Sequence, residues 1–190
     1  MENITVGFAL TGSFCTFAKV VPQIKAVVDA GYRVLPIMSE ISYTTDTRFG
    51  KAKDFITTIE TITKNSVIHT IKDSEPIGPK NLVDAMIVAP CTGNTAAKIA
   101  NGITDSCVAM AAKASLRNQN PLILAISTND GLGASGKNIG LLSNAKQVYL
   151  VPFGQDAPHS KPDSLVAHME LILPTLELAL QGKQIQPLLV

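Results

Sequence analysis

Short apolar runs alternate with helix-period segments along the chain. Ile4–Leu10, Tyr32–Met38, Ala85–Ala89, Leu122–Ile126 and Gln147–Val151 have the length and continuity of buried strands, and Val67–Ile71 is a weaker run of the same kind. Between them, Thr16–Ala30 places Val20, Ile24, Val27 and Val28 on one helical face, and Lys51–Thr63 does the same with Phe55, Ile59 and Ile62. Pro22 falls inside the first helix, so the helix begins near Val21 or kinks there. Ser106–Arg117 reads as a helix of small residues and Asn138–Ser143 as a short one. Ser164 caps a long helix to Gln181, kinked at Pro174 and ended by Gly182, so residues 163–182 form a C-terminal helix. Strand and helix in alternation predict an α/β fold, a doubly wound parallel sheet in one domain spanning 1–190.

In such a sheet the ligand lies outside the carboxyl ends of the strands. The stretch from Ala89 to Asp105 sits at one of those ends. Pro90, lacking an N–H, ends its strand; a polar loop follows; Thr95–Asn101 turns into a helix closed by Gly102. Free amides and the positive end of a helix dipole make such a loop an anion or ring-edge site, to which Thr92, Asn94 and Thr95 add hydrogen bonds with little bulk. The loop after the first strand, Thr11-Gly12-Ser13, has one glycine rather than the G-x-G-x-x-G fingerprint. Gly12 permits close backbone approach, Ser13 offers a hydroxyl and an N–H to a phosphate, and Ser39 ends the second strand within reach of the same group. Glu40 follows Gly12 by 28 residues, against about 20 for a ribose-binding acid, so a mononucleotide is favoured over a dinucleotide.

The loop Ser127–Gly136 carries Asn129, Asp130 and three glycines, as a mobile segment or one passing close to a ligand does. Arg48, in the polar stretch Ser42–Gly50, has the fork that binds a carboxylate. His69 lies on or beside the weak strand, in an ordinary structural role.

Composition narrows the function classes. Net charge is +1 with no basic run and no Trp, which argues against nucleic acid. No apolar run reaches the ~18 residues of a membrane span, and the N-terminus has no basic leader-like region. Cys15, Cys91 and Cys107 are odd in number and lack C-x-x-C spacing, which suits a reduced cytoplasm, and the histidines show no metal-site spacing. Only 16% of residues are charged against 46% hydrophobic, which tilts towards burial between subunits.

Thr11-Gly12-Ser13, Ser39 and Pro90-Cys91-Thr92-Gly93-Asn94-Thr95 with Lys98–Asp105 occur in the order found in a known superfamily. Over about residues 3–155 the chain resembles the Rossmann-like flavoproteins that include FMN-dependent cysteine decarboxylases and flavin prenyltransferases. That resemblance implies FMN, its phosphate held by Gly12, Ser13 and Ser39, with Pro90, Thr92, Asn94 and Thr95 bordering the flavin and Lys98 on the helix behind. It also implies a trimer or a multiple of one. The decarboxylases' histidine is replaced by Pro76, their Pro-x-Met-Asn clamp keeps only Asn129, and no cysteine follows Cys107. Cysteine decarboxylation is therefore not expected.

Within the superfamily the chain is most similar to the dipicolinate synthase B subunits of spore formers. Leu10–Ser13, Thr47–Gly50, Met110–Ala114, Ile126–Asp130, Pro152–Asp156 and Gln186–Val190 carry that likeness. It implies synthesis of a dicarboxylate from a dihydrodipicolinate-type precursor, in the mother-cell cytoplasm, with an A subunit resembling Rossmann-type NAD(P) proteins. Aromatising a dihydropyridine removes a hydride equivalent and a proton, and FMN is a suitable hydride acceptor. Arg48, Asn129 and Asp130 are then the candidates for substrate carboxylates and proton; His69 is a second candidate base. A generic FMN decarboxylase or reductase, and a non-catalytic partner subunit with a degenerate flavin site, are the alternatives.

Overall fold

In the computed structural model, which describes residues 4–190, five parallel strands take the most apolar runs. They are β1 (Thr5–Leu10), β2 (Arg33–Met38), β3 (Ala85–Cys91), β4 (Leu122–Thr128) and β5 (Val148–Leu150). Their spatial order is β2-β1-β3-β4-β5. The chain reverses direction across the sheet between β1 and β3, so the loops after those strands diverge and leave a crevice.

All seven residues of β3 are buried, which explains its unbroken apolar run: helices cover both faces. Helix α1 (Phe17–Asp29) packs with α3 (Ala52–Thr63) and α8 (Ile172–Ala179). Helices α5 (Gly93–Ala100), α6 (Cys107–Arg117) and α7 (Gly136–Ser143) pack together. The β1-to-β2 and β3-to-β4 connections run in opposite directions across the sheet, so the right-handed rule places α1 on one face and α5 and α6 on the other.

The structure departs from the sequence-based expectation where short-range signals mislead. Helix α1 runs unbroken through Pro22; Ala18, whose carbonyl the missing N–H would have met, is an exposed residue. Strand β3 does not end at Pro90 but continues to Cys91. Its register with β4 shifts between Val88 and Cys91, an irregularity that accommodates the residue without an N–H. The expected strand at Val67–Ile71 is a single bridge, Ile68 to Ile37, and a short helix α4 follows at Ile71–Ser74. Ser39 caps a short helix, α2 (Glu40–Thr44), which runs into the polar stretch Ser42–Gly50.

The largest correction is at residues 163–182, which are not one helix. Gln147–Val151 is not the last strand either. Two more follow, β6 (Phe153–Gln155) and β7 (Leu165–Ala167), an antiparallel pair joined to the sheet through Ser127–Val166 and Thr128–Leu165 pairing. The helix begins only at Ile172, which puts Pro174 in its first turn, where no N–H is needed. Leu165 and Met169 are buried, from a strand and a 3-10 turn rather than from a helix.

Candidate functional site

The β1 and β3 loops are tied by one side chain. Thr11, 1% exposed, donates its hydroxyl to the Pro90 carbonyl at 2.6 Å and accepts from the Thr92 N–H at 3.1 Å. Thr92 in turn caps α5, its hydroxyl accepting from the Thr95 N–H at 3.3 Å. Among the described residues, the Gly93 and Asn94 amides have no protein acceptor, so the start of α5 is left with two donors.

Gly12, Thr92 and Asn94 form a ridge with a cleft on each side. The larger, about 770 Å³, is lined by Ser13, Phe14, Phe49, the loop Ser127–Asp130, and Asp156 and Lys161. The smaller, about 600 Å³, is lined by Thr11, Ser39, Glu40, Thr95, Lys98 and Ser106. The Ser13 and Ser127 hydroxyls join across the larger cleft at 2.8 Å. In the smaller one Ser39 meets Ser42 at 2.8 Å, and Lys98 pairs with Asp105 at 2.7 Å. That pairing holds the Asp105 carboxyl below the usual range.

Asp130 is held from two sides. Its Oδ1 accepts from the Thr128 hydroxyl at 2.5 Å and from the Ser135 hydroxyl at 2.8 Å. These bonds favour the charged form and lower its pKa, so Asp130 is ionised at neutral pH. All three groups crowd Gly93: a Cβ there would collide with Ser135 Oγ and lie 2.7 Å from Thr128 Oγ1. The start of α5 can sit against this cluster only because the residue is glycine.

The far wall of the larger cleft is a strap from Asp156 to Ser164. Asp156 accepts from the Ser164 hydroxyl, which holds its pKa down, and pairs with Lys161 at 3.1 Å. The strap is fastened to the β4 loop by Leu132 N–H to the Asp163 carbonyl at 3.0 Å.

Of the residues singled out from sequence, Gly12, Ser13, Thr92, Asn94, Asn129 and Asp130 meet at the larger cleft, while Thr11, Ser39 and Thr95 line the smaller. Pro90 lines neither; it is buried and contributes its carbonyl to Thr11. Ser13 keeps its hydroxyl near the site, but its N–H is turned back to the Thr11 carbonyl at 2.7 Å and is not free for a phosphate. Arg48 is not brought in. A tight turn, with Thr47 and Gly50 exchanging backbone bonds, points Phe49 at the cleft and leaves Arg48 exposed over the Phe49 ring, 4.8 Å from its centre. His69 is stacked on Tyr43 at 3.7 Å and lines neither cleft.

Sequence reasoning missed Asp156, Lys161, Ser164 and Ser135. Ser164 was hidden by reading it as a helix cap, Asp156 and Lys161 lie in a stretch up to Pro162 that has only loop character, and Ser135 carries no signal beyond its glycine-rich loop. Cys91 and Cys107 are buried, with thiols pushed up to about 12 and about 11 by desolvation, so neither is a nucleophile. Cys15 is exposed on the rim of the larger cleft.

Known proteins share this fold. Residues 1–169 match the family described as Flavoprotein. The B subunit of dipicolinate synthase from Bacillus subtilis is 47% identical over 190 residues, covering 100% of this chain and 95% of the relative. The crystal structure of the dipicolinate synthase B subunit from Bacillus halodurans superposes with a TM-score of 0.91 at 48% identity, covering 98% and 96% of the two chains. A flavin prenyltransferase-type structure, AnUbiX in complex with FMN and dimethylallyl pyrophosphate, shares the fold at a TM-score of 0.63. It is 18% identical, with 80% and 78% covered.

Proposed function

This chain belongs to the flavoprotein family, among its dipicolinate synthase B subunits, and from that premise we propose that it is an oxidoreductase subunit that forms dipicolinate from a dihydrodipicolinate-type precursor with bound FMN. The observation that carries the reading is the ridge of Gly12, Thr92 and Asn94 between two clefts at the carboxyl ends of β1 and β3. One cleft suits a mononucleotide and the other a second small molecule beside it.

The residues present fit FMN. Gly12 lacks a side chain where its backbone lines both clefts, and the unpartnered Gly93 and Asn94 amides at the start of α5 suit an electron-rich ring edge or an anion. Ser39, Thr95, Ser106 and Lys98 supply donors in the smaller cleft. FMN, when bound, supplies a two-electron acceptor for the hydride equivalent that leaves the dihydropyridine ring.

The chain's own groups do the rest. Asn129 and the Ser13 and Ser127 hydroxyls orient the substrate in the larger cleft, which Phe14 and Phe49 keep partly apolar. Asp130 Oδ1 is occupied by two hydroxyls, which leaves Oδ2 to take the ring proton. Its lowered pKa makes it a weak base, sufficient where gain of aromaticity drives proton loss.

The partner is an A subunit that carries NAD(P), the chain forms a trimer or a multiple of one, and the pair works in the mother-cell cytoplasm. A mixture of the two subunits with the dihydropyridine precursor tests the reading: dipicolinate formation that requires this chain and falls sharply in Asp130→Asn supports it. Full activity from the A subunit alone would overturn it.

A further inference from the structure

A dicarboxylate in the larger cleft needs a cation, and Arg48 does not line it. We propose that Lys161 is the substrate-binding residue that takes one carboxylate of the dicarboxylate, an assignment that rests on the function proposed above.

Among the described residues lining the larger cleft, Lys161 is the only cation, set against the carboxylates of Asp130 and Asp156. Without it a dianionic ring would face two negative charges and no positive one. Its strap is held in place by Leu132 N–H to the Asp163 carbonyl at 3.0 Å, and by Gln155 Nε2 donating to the Pro162 carbonyl at 2.7 Å. The side chain itself is 57% exposed and reaches from that fixed backbone on a flexible stem.

Its present partner can release it. Asp156 uses Oδ2 for Lys161 and Oδ1 for the Ser164 hydroxyl, and its side chain is 38% exposed. When Nζ turns to the substrate, Asp156 keeps the Ser164 bond and reaches water, so no buried charge is stranded. Asp156 thus holds the ammonium at the cleft wall until a carboxylate competes for it.

The test is calorimetric titration of the full chain, in the presence of FMN, with dipicolinate and with pyridine-2-carboxylate, which lacks the second carboxylate. Lys161→Met is expected to weaken dipicolinate binding roughly ten- to a hundredfold while changing pyridine-2-carboxylate binding little, because a charge-assisted bond to the second carboxylate is lost. Lys161→Arg is expected to restore most of the affinity, and Arg48→Met to leave it unchanged. Wild-type affinity in Lys161→Met, equal loss for both ligands, or loss in Arg48→Met instead overturns the assignment. If the wild-type chain binds FMN but no dipicolinate, the dicarboxylate reading itself falls and takes the assignment with it.

Discussion

Thr11 and Pro90 lie 79 residues apart in the chain, and the hydroxyl of one donates to the carbonyl of the other at 2.6 Å. Because the same hydroxyl also accepts from the Thr92 N–H, it fixes the spacing of the β1 and β3 loops and hence the ridge that both clefts share. Thr11→Val keeps the shape and removes both bonds, leaving a buried carbonyl and an amide unsatisfied. Urea unfolding is expected to show a loss of about 2–4 kcal/mol, with Thr11→Ser much milder. FMN affinity should fall in step.

Gly93→Ala tests the contact between α5 and the β4 loop. The added Cβ would meet Ser135, Thr128 and Asp130 oxygens at 3.0 Å or less, so the helix start or the cluster must move. A stability loss of about 1–3 kcal/mol is expected from such overpacking. A drop in FMN binding larger than stability alone explains, read by fluorescence titration, would mark the displaced Gly93 and Asn94 amides.

The acid side of the stability profile reports on Asp130. Its folded pKa is held below the ordinary value of 3.8 by the Thr128 and Ser135 hydroxyls. A depressed folded pKa contributes stability that is fully present above the unfolded pKa and is lost as pH falls through the folded one. The stability difference between wild type and Asp130→Asn should therefore stay flat from neutral pH down to about 5 and shrink below about 4. Chemical denaturation at a series of pH values measures it, and a difference that does not shrink would contradict the hydrogen-bonded assignment.

Thiol labelling separates the three cysteines. Burial pushes Cys91 up to about 12 and Cys107 up to about 11, and the Cys107 thiol also donates to the Met38 carbonyl, so only Cys15 should react in the folded chain. Mass spectrometry after alkylation should find one label.

The parallel sheet and the loops that build the ridge were legible in the sequence because both rest on local signals. Buried strands such as Ile87 and its neighbours are continuous apolar runs, and Thr92, Asn94 and Gly12 sit in small polar loops at strand ends, where a doubly wound sheet binds its ligand. The strap was not legible. Leu165 and Met169 repeat at a spacing compatible with one helical face, and nothing local says that Leu165–Ala167 will pair antiparallel with Ser127 and Thr128, nearly forty residues earlier. Lys161 lies in the loop that ends at Pro162, and without that pairing nothing local says which cleft the loop will wall. Arg48 and His69 were misplaced by the converse effect: their chemistry is evident from residue type, but the turn at Thr47–Gly50 and the Tyr43 ring decide where each points.

The visible absorption spectrum of the purified chain, followed by FMN titration of wild type, Ser39→Ala and Asn94→Ala, tests the central claim most directly. The structure predicts saturable quenching of FMN fluorescence by wild type and markedly weaker binding in both variants. No binding to wild type at high micromolar FMN would contradict the account and leave a subunit whose companion's nicotinamide carries the electrons.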